Sequence, residues 1–180
     1  NKYLLSCAED GTIKVSAAAA AGCAEPPKVV AELTSAEGGN TRPVNGLDVN
    51  KWGTVAAGSE DCTLRLYSNV FEQLPARKSF AATFKLDKHS APITACSFAP
   101  TARALASASK DATVHVWELA YRSSELSGVE LLFSIENAHA DWITDLRWAA
   151  TVGGPNSPVT DCIVTCSNDF SLKMWTTTDV

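Results

Sequence analysis

Basic charge is scarce in this chain: 15 lysines and arginines stand against 20 aspartates and glutamates, a formal charge of −5. That balance speaks against a surface built to follow a phosphate backbone, which needs clustered cations. There are only three histidines, and they do not fall with cysteine or carboxylate at metal-ligand spacing, so neither a metal nor a cofactor is expected. No apolar run approaches the roughly 18 residues of a membrane span. The alanine run 17–21 is short, internal and without a basic flank, which reads against a signal peptide. Missing too are an N-x-S/T acceptor, a G-x-S-x-G elbow and a G-x-x-x-x-G-K-S/T loop. Helix signals are nearly absent.

What remains is an ordinary globular composition. With 46% hydrophobic and 19% charged residues over 180 positions, the chain can bury a core. Its six cysteines (Cys7, Cys23, Cys62, Cys96, Cys162 and Cys166) lie mostly in apolar β-like runs, where a free thiol packs as a small hydrophobe. Cys162 and Cys166 alternate onto one face of a single strand, a spacing that suits neither a disulfide nor a zinc knuckle. Reduced cysteines and an intracellular setting, cytoplasmic or nuclear, are the expectation.

The dominant signal is repetition. AEDGTIKVS (8–16), SEDCTLRLY (59–67), SKDATVHVW (109–117) and SNDFSLKMW (167–175) are the same phrase, an acidic turn followed by a short β-run. Asp10, Asp61, Asp111 and Asp169 each precede by six residues the position held by Ser16, Tyr67, Trp117 and Trp175. A repeat of roughly 40–50 residues closing on Trp predicts a propeller blade. The segments between the phrases resolve into alternating runs bounded by turn residues. In the third unit these are 93–99, 103–109, 113–118 and 130–135, one four-stranded antiparallel blade. The second unit repeats it with 44–49, 54–59, 63–68 and 79–85. The fourth has 143–148, 162–167 and 172–176, and the first has 3–8, 12–16 and 29–33. The stretches 17–28 and 151–160, with their Pro and paired Gly, read as surface insertions.

The third and fourth units open with Lys88-His89 and Ala138-His139. A His before the first strand, a Ser or Thr in the second, an Asp in the next turn and a Trp closing the third together resemble the WD-repeat (WD40) β-propeller family. The resemblance covers nearly the whole chain and is strongest over 88–175. It implies a hydrogen-bonded string within each blade: His89, Ser107, Asp111 and Trp117 in the third, His139, Thr165, Asp169 and Trp175 in the fourth. Indole, hydroxyl, imidazole and carboxylate have complementary donors and acceptors for this. The second unit departs from the pattern, with Ala57 at the hydroxyl position, Tyr67 for Trp and no His in 41–43, so its network is expected to be largely absent. The first keeps Ser6 and Asp10 but has Ser16 for Trp.

Ser, His and Asp together are also the hydrolase alphabet. Here the set recurs blade after blade, which a single catalytic centre does not do, so no enzyme is expected and no small-molecule substrate. The expected fold is all-β: a propeller of four-stranded antiparallel blades, about three and a half of them, in a ring of about seven. The units are 1–36, a partial blade; 37–87, a degenerate one; 88–137; and 138–180, which lacks an outer strand. A closed propeller takes about four to eight blades, so an internal piece of a larger ring is expected.

The resemblance implies a rigid platform whose partners dock on the face formed by the loops before the inner strands and the turns between second and third strands. That face here holds Glu9, Glu60, Ser90, Lys110, Asp141, Trp142, Asn168 and Phe170. Trp142 is either a docking hot spot or a cover for the neighbouring blade's core. The leading reading is a protein-protein interaction scaffold in a larger assembly. Two others stand beside it: a ribonucleoprotein subunit touching RNA through Arg42, Lys51, Arg77, Lys78, Arg103 and Arg122, and a sensor propeller attached to an NTPase module.

Overall fold

The four acidic turns each close a β-hairpin, and the chemistry of the turn explains why. The Asp carboxylate accepts the backbone N–H and the hydroxyl of the residue two positions on: Thr12, Thr63, Thr113 and Ser171. The residue between them takes a left-handed backbone, with φ of 78° at Gly11, 66° at Cys62, 63° at Ala112 and 63° at Phe170. Asp seeds such turns by bonding its own backbone locally.

The structure, a computed structural model, describes residues 3–17, 26–34, 42–151 and 160–176. In chain order the elements are β1 (Tyr3–Cys7), β2 (Ile13–Ala17), β3 (Lys28–Thr34), β4 (Val44–Val49), β5 (Val55–Ser59), β6 (Leu64–Tyr67), α1 (Val70–Gln73), β7 (Ser79–Ala81), β8 (Phe84–Leu86), β9 (Ile93–Phe98), β10 (Ala104–Ser109), β11 (Val114–Arg122), β12 (Glu125–Ile135), β13 (Ile143–Thr151), β14 (Thr160–Ser167) and β15 (Leu172–Thr176). They form four sheets, ordered β1-β2-β3-β7, β4-β5-β6-β8, β9-β10-β11-β12 and β13-β14-β15. This is the architecture of a partial β-propeller. Most of the insertions expected at 17–28 and 151–160, and Cys23, lie outside the described residues.

The sheets stack through three apolar cores, one per junction. Ile13 and Val15 meet Val44 between the first two sheets; Leu64 and Leu66 meet Ile93 between the second and third; Val114 and Val116 meet Ile143 between the third and fourth. Each junction therefore uses the same face of one hairpin and the first residue of the next inner strand. Alternation with period two puts these residues on one face and the network positions on the other.

Two features depart from expectation. The outer strand expected at 79–85 is divided. Only β8 completes the second sheet, against β6, while β7 crosses to the first sheet and pairs in parallel with β3. Lys78 O accepts Glu32 N–H at 2.9 Å and Thr34 O accepts Ala82 N–H at 3.2 Å. The physical reason is Phe80, buried in the core between the first two sheets, with α1 before it anchoring buried Val70. The connection 68–83 is thus a strap from one blade across its neighbour.

The third unit's outer hairpin is also longer than expected. β11 continues past Trp117 because Leu119 and Leu126 both bury against the second sheet. Leu126 N–H donates to Ser68 Oγ at 2.9 Å. Tyr121 packs tilted against Trp52 at 4.3 Å between ring centroids, and its hydroxyl accepts from Asn50 Nδ2 at 2.7 Å.

Candidate functional site

The third and fourth blades carry the same polar string. His89 Nδ1–H donates to Asp111 Oδ2 at 3.0 Å, and its Nε2 meets Ser107 Oγ at 2.9 Å. Trp117 Nε1–H then donates to the same Ser107 Oγ at 3.1 Å. In the fourth blade His139 Nδ1 lies 2.9 Å from Asp169 Oδ2 and Nε2 2.8 Å from Thr165 Oγ1, which accepts Trp175 Nε1–H at 3.0 Å. A carboxylate can only accept, so each imidazole carries a proton on Nδ1, and the hydroxyl donates to Nε2 while accepting from the indole. Every member is satisfied.

Electrostatics follow from these bonds. Burial opposes ionisation of Asp111, but hydrogen bonds from His89 and Thr113 outweigh it and hold the carboxyl well below the ordinary range. At Asp169 the Ser171 hydroxyl is the largest single lowering influence, followed by an opposing effect of burial and by further hydrogen bonds from the Ala140 and Ser171 N–H groups and from His139. His115 packs tilted against His89, 4.2 Å between ring centroids, and its Nδ1 lies 2.8 Å from Ser134 Oγ. Burial, reinforced by the neighbouring His89, pushes its imidazole down to about 4.

The second blade does not leave its missing histidine vacant. Buried Arg65 reaches back to Asp61 Oδ2 at 2.7 Å and to Thr63 Oγ1. Burial again opposes ionisation of Asp61, and the Arg65 and Thr63 hydrogen bonds overcome it. Tyr67 fills the Trp position in full burial. In the first blade, among the described residues, the turn bonds of Asp10 to Thr12 form and the rest of the string does not.

Three serines missed by the sequence reading tie the turns to the inner strands. Ser59, Ser109 and Ser167 each donate Oγ–H to a carbonyl before the inner strand, of Pro43, Ala91 and Asp141, and accept the N–H of Asp61, Asp111 and Asp169. The signal was available as Ser-x-Asp in three of the four phrases. The residue between them donates its backbone N–H as well: Glu60 to Pro43 O, Lys110 to Pro92 O and Asn168 to Trp142 O, at 2.9, 3.0 and 3.0 Å.

These bonds place the expected docking residues. Trp142 stands just before β13, 49% exposed, its N–H donated to Asp141 Oδ1 at 2.7 Å. Lys110, from the neighbouring blade, sets its ammonium 4.9 Å from the Trp142 ring. Phe170 is fully exposed. Glu9, Ser90, Asp141 and Asn168 are exposed and Glu60 is half-buried.

As chemistry, the two His–Asp strings cannot receive a substrate. Ser107 and Thr165 are buried, and an indole already occupies each hydroxyl oxygen. Among the described residues no group of three or more His, Cys, Asp or Glu is arranged to hold a metal, and Cys7, Cys62, Cys96, Cys162 and Cys166 are unpaired thiols. No helix among the described residues is long and apolar enough to cross a membrane.

Comparison with known proteins gives matches to the family described as WD domain, G-beta repeat, over residues 29–68, 80–118 and 130–176. Telomerase protein component 1 of Rattus norvegicus is 29% identical over 135 residues, covering 74% of this chain and 5% of its own length. Protein HIR1 of Eremothecium gossypii is 30% identical over 166 residues, 79% of this chain and 18% of its own length. Protein transport protein SEC13 of Mycosarcoma maydis is 35% identical over 71 residues, 39% of this chain and 17% of its own. The chain thus spans less than a fifth of each of these relatives.

Proposed function

This chain belongs to the WD40 family, and on that premise we propose that it is a non-catalytic scaffold whose fourth blade docks a protein partner through Trp142 and Phe170. The observation that carries the reading is a comparison between the chain's own blades. The residue before the inner strand is Pro43, Pro92 and then Trp142; the left-handed turn residue is Gly11, Cys62, Ala112 and then Phe170. Proline and small residues serve the fold in the other blades. Phe170 carries the same left-handed backbone as Cys62 and Ala112, at a cost of roughly 1 kcal/mol for a residue with Cβ, but with a large ring that buries nothing in return. Large aromatics placed on the surface against the local preference fit an interface anchor.

Membership of a larger assembly agrees with one relative, which is named as a telomerase component. A cytoplasmic or nuclear setting suits the free thiols.

The test compares Trp142→Ala and Phe170→Ala with the unaltered protein in quantitative affinity capture from extract, beside thermal melts. Specific proteins lost from both variants at unchanged melting temperature support docking. A large drop in the melting temperature of Trp142→Ala would instead make Trp142 a cover for the adjoining blade's core.

A ribonucleoprotein role is the second reading. It is favoured by the telomerase component relative and by Arg42, Lys51, Arg77, Lys78, Arg103 and Arg122, none of which makes an ion pair among the described residues. RNA binding that falls steeply with salt and weakens in Lys51→Glu and Arg122→Glu would establish it.

A further inference from the structure

The formal charge of −5 conceals two unlike faces. Neighbouring strands in each blade run antiparallel, so the connections alternate between two ends of the sheet. At the end of the acidic turns, the four turn aspartates are joined among the described residues by Glu9, Glu60, Asp87, Glu136 and Asp141, against Arg42, Lys88 and Lys110. At the opposite end of the second and third blades the balance reverses. The connections there carry Lys51, Arg77, Lys78 and Arg103, and Arg122 stands at the tip of the β11–β12 hairpin. All five are exposed, and none makes an ion pair among the described residues. Glu72 is the acid within these connections, and Asn69 Nδ2 already donates to its Oε2 at 2.9 Å. Arg122 stands opposite Glu125 in the hairpin register without pairing to it.

Contacts join these connections into one surface. Val70 N–H donates to Gly53 O at 3.0 Å, which ties the strap to the turn that holds Lys51. The Ser124 hydroxyl reaches Glu72 Oε2 at 3.5 Å, and Trp52 packs against Tyr121, so the strap and turn of the second blade both touch the hairpin of the third. Leu119 N–H donates to Arg103 O at 2.8 Å, which sets that arginine beside the same hairpin. Trp52 and Tyr121 are half-buried, and Lys51 Nζ lies 4.8 Å from the Trp52 ring centroid. Cations and partly open aromatic rings are thus interleaved across the blade junction.

We propose, resting on the ribonucleoprotein reading above, that this face and not the face of the acidic turns holds a single strand of nucleic acid. Unpaired cations spread over four connections suit a chain that carries a charge at every unit. The open parts of the Trp52 and Tyr121 rings offer stacking surface to bases, for which an acidic peptide has no counterpart. In a duplex the base faces are stacked on one another, so the strand is single. Carboxylates at the opposite end repel the same polyanion, so the segregation of charge also orients its approach. Arg42 precedes Pro43 on the acidic face and lies outside the site.

The test is a fluorescence-anisotropy titration of the 180-residue chain with labelled oligouridine and oligothymidine of about 20 nucleotides, longer than a single binding module covers, over a series of salt concentrations. Five phosphate contacts predict a log–log salt slope of about −3. Arg77→Gln, Lys78→Gln and Arg103→Gln combined should weaken binding at least about ten-fold at physiological salt and flatten that slope, at an unchanged melting temperature, whereas Arg42→Gln should leave both as they were. Binding should quench intrinsic fluorescence; Trp52→Phe, which keeps a ring against Tyr121, should remove the quench and Trp142→Phe should retain it. Equal affinity for the two oligomers supports the proposal with the phosphate backbone as what is recognised, and tighter binding of oligouridine supports it with RNA as the source. No binding of either oligomer at low salt overturns it together with the ribonucleoprotein reading. Binding that survives the triple variant but is lost when Arg42, Lys88 and Lys110 are changed to Gln keeps that reading and overturns this face. Polyglutamate that binds as tightly, charge for charge, and is lost in the triple variant also overturns it, and assigns the face to an acidic segment of a partner protein.

Discussion

His89 Nε2 lies 2.9 Å from Ser107 Oγ while its Nδ1 faces Asp111, the same pairing of atoms that arms a serine hydrolase. What separates the two is the fourth partner. Trp117 Nε1 donates to Ser107 from inside the blade, and the hydroxyl is buried. The string is a clamp between the loop before β9, β10 and β11, with its nucleophile position spent on the fold.

Ser107→Ala is therefore expected to cost stability and nothing else. It strands Trp117 Nε1 and His89 Nε2 in a buried setting, a loss of about 1–3 kcal/mol for each orphaned group. Urea unfolding should show a lower midpoint at unchanged slope, and esterase or peptidase assays should read background for both proteins. Thr165→Ser in the fourth blade keeps the hydroxyl and should be far milder.

Acid should weaken the third blade in two stages. His115 is held down to about 4 from an ordinary 6.5, so the unfolded chain binds its proton more readily. Its contribution to stability is complete above pH 6.5 and is lost as the pH falls from 6.5 to 4, with a limiting slope of about 1.4 kcal/mol per pH unit for one proton. The groups facing it are His89, Ser134 and, through His89, Asp111. Asp111 and Asp169, held below the ordinary 3.8, lose their contributions only as the pH falls further. His115→Gln should flatten the upper stage of a chemical-denaturation pH profile and leave the lower one.

The parts of the fold that repeat were legible in the sequence, because each turn carries its own instruction. Asp followed two residues later by Thr or Ser specifies the hairpin locally, and period-two alternation sets which face is buried. The stretches from the second strand to the Trp position could be compared blade with blade. What escaped was whatever a single blade does alone. Nothing local marks Phe80 as a peg for the neighbouring sheet or Leu119 and Leu126 as the reason β11 runs on, since those choices are made by packing between blades. Arg65 escaped for a related reason: it sits four residues after Asp61, where the other blades have Lys14, His115 and Lys173, and only burial turns it into a substitute for the absent histidine. That Phe170 is fully exposed could not be read from its type.

The strap makes Phe80 a joint between two blades. Phe80→Ala removes a buried ring from the core between the first and second sheets, a loss of about 3–5 kcal/mol. Hydrogen exchange should accelerate first at Glu32 and Ala82, whose N–H groups pair across β3 and the strap. The amides of β14 and β15, two junctions away, should keep their protection.

The junction between the second and third blades is tight enough to read in a double mutant. A Cβ placed on Gly58 would stand 2.4 Å from Ile93 Cγ2 and 3.2 Å from its Cβ. Ile93 is fully buried, so it cannot swing into solvent, and Gly58→Ala should cost about 1–3 kcal/mol through overpacking. The third blade carries Ala108 and the fourth Cys166 at the same position, so the clash belongs to this junction and not to the strand. Ile93→Val keeps a γ-methyl in place and should not relieve Gly58→Ala. Ile93→Ala removes Cγ2 at a cost of about 2–5 kcal/mol when made alone. If contact between these two groups is the cause, Gly58→Ala with Ile93→Ala will be less destabilised than the two single losses together, because residues in contact do not add. Simple additivity in urea denaturation would place the strain of Gly58→Ala elsewhere, in the backbone of β5.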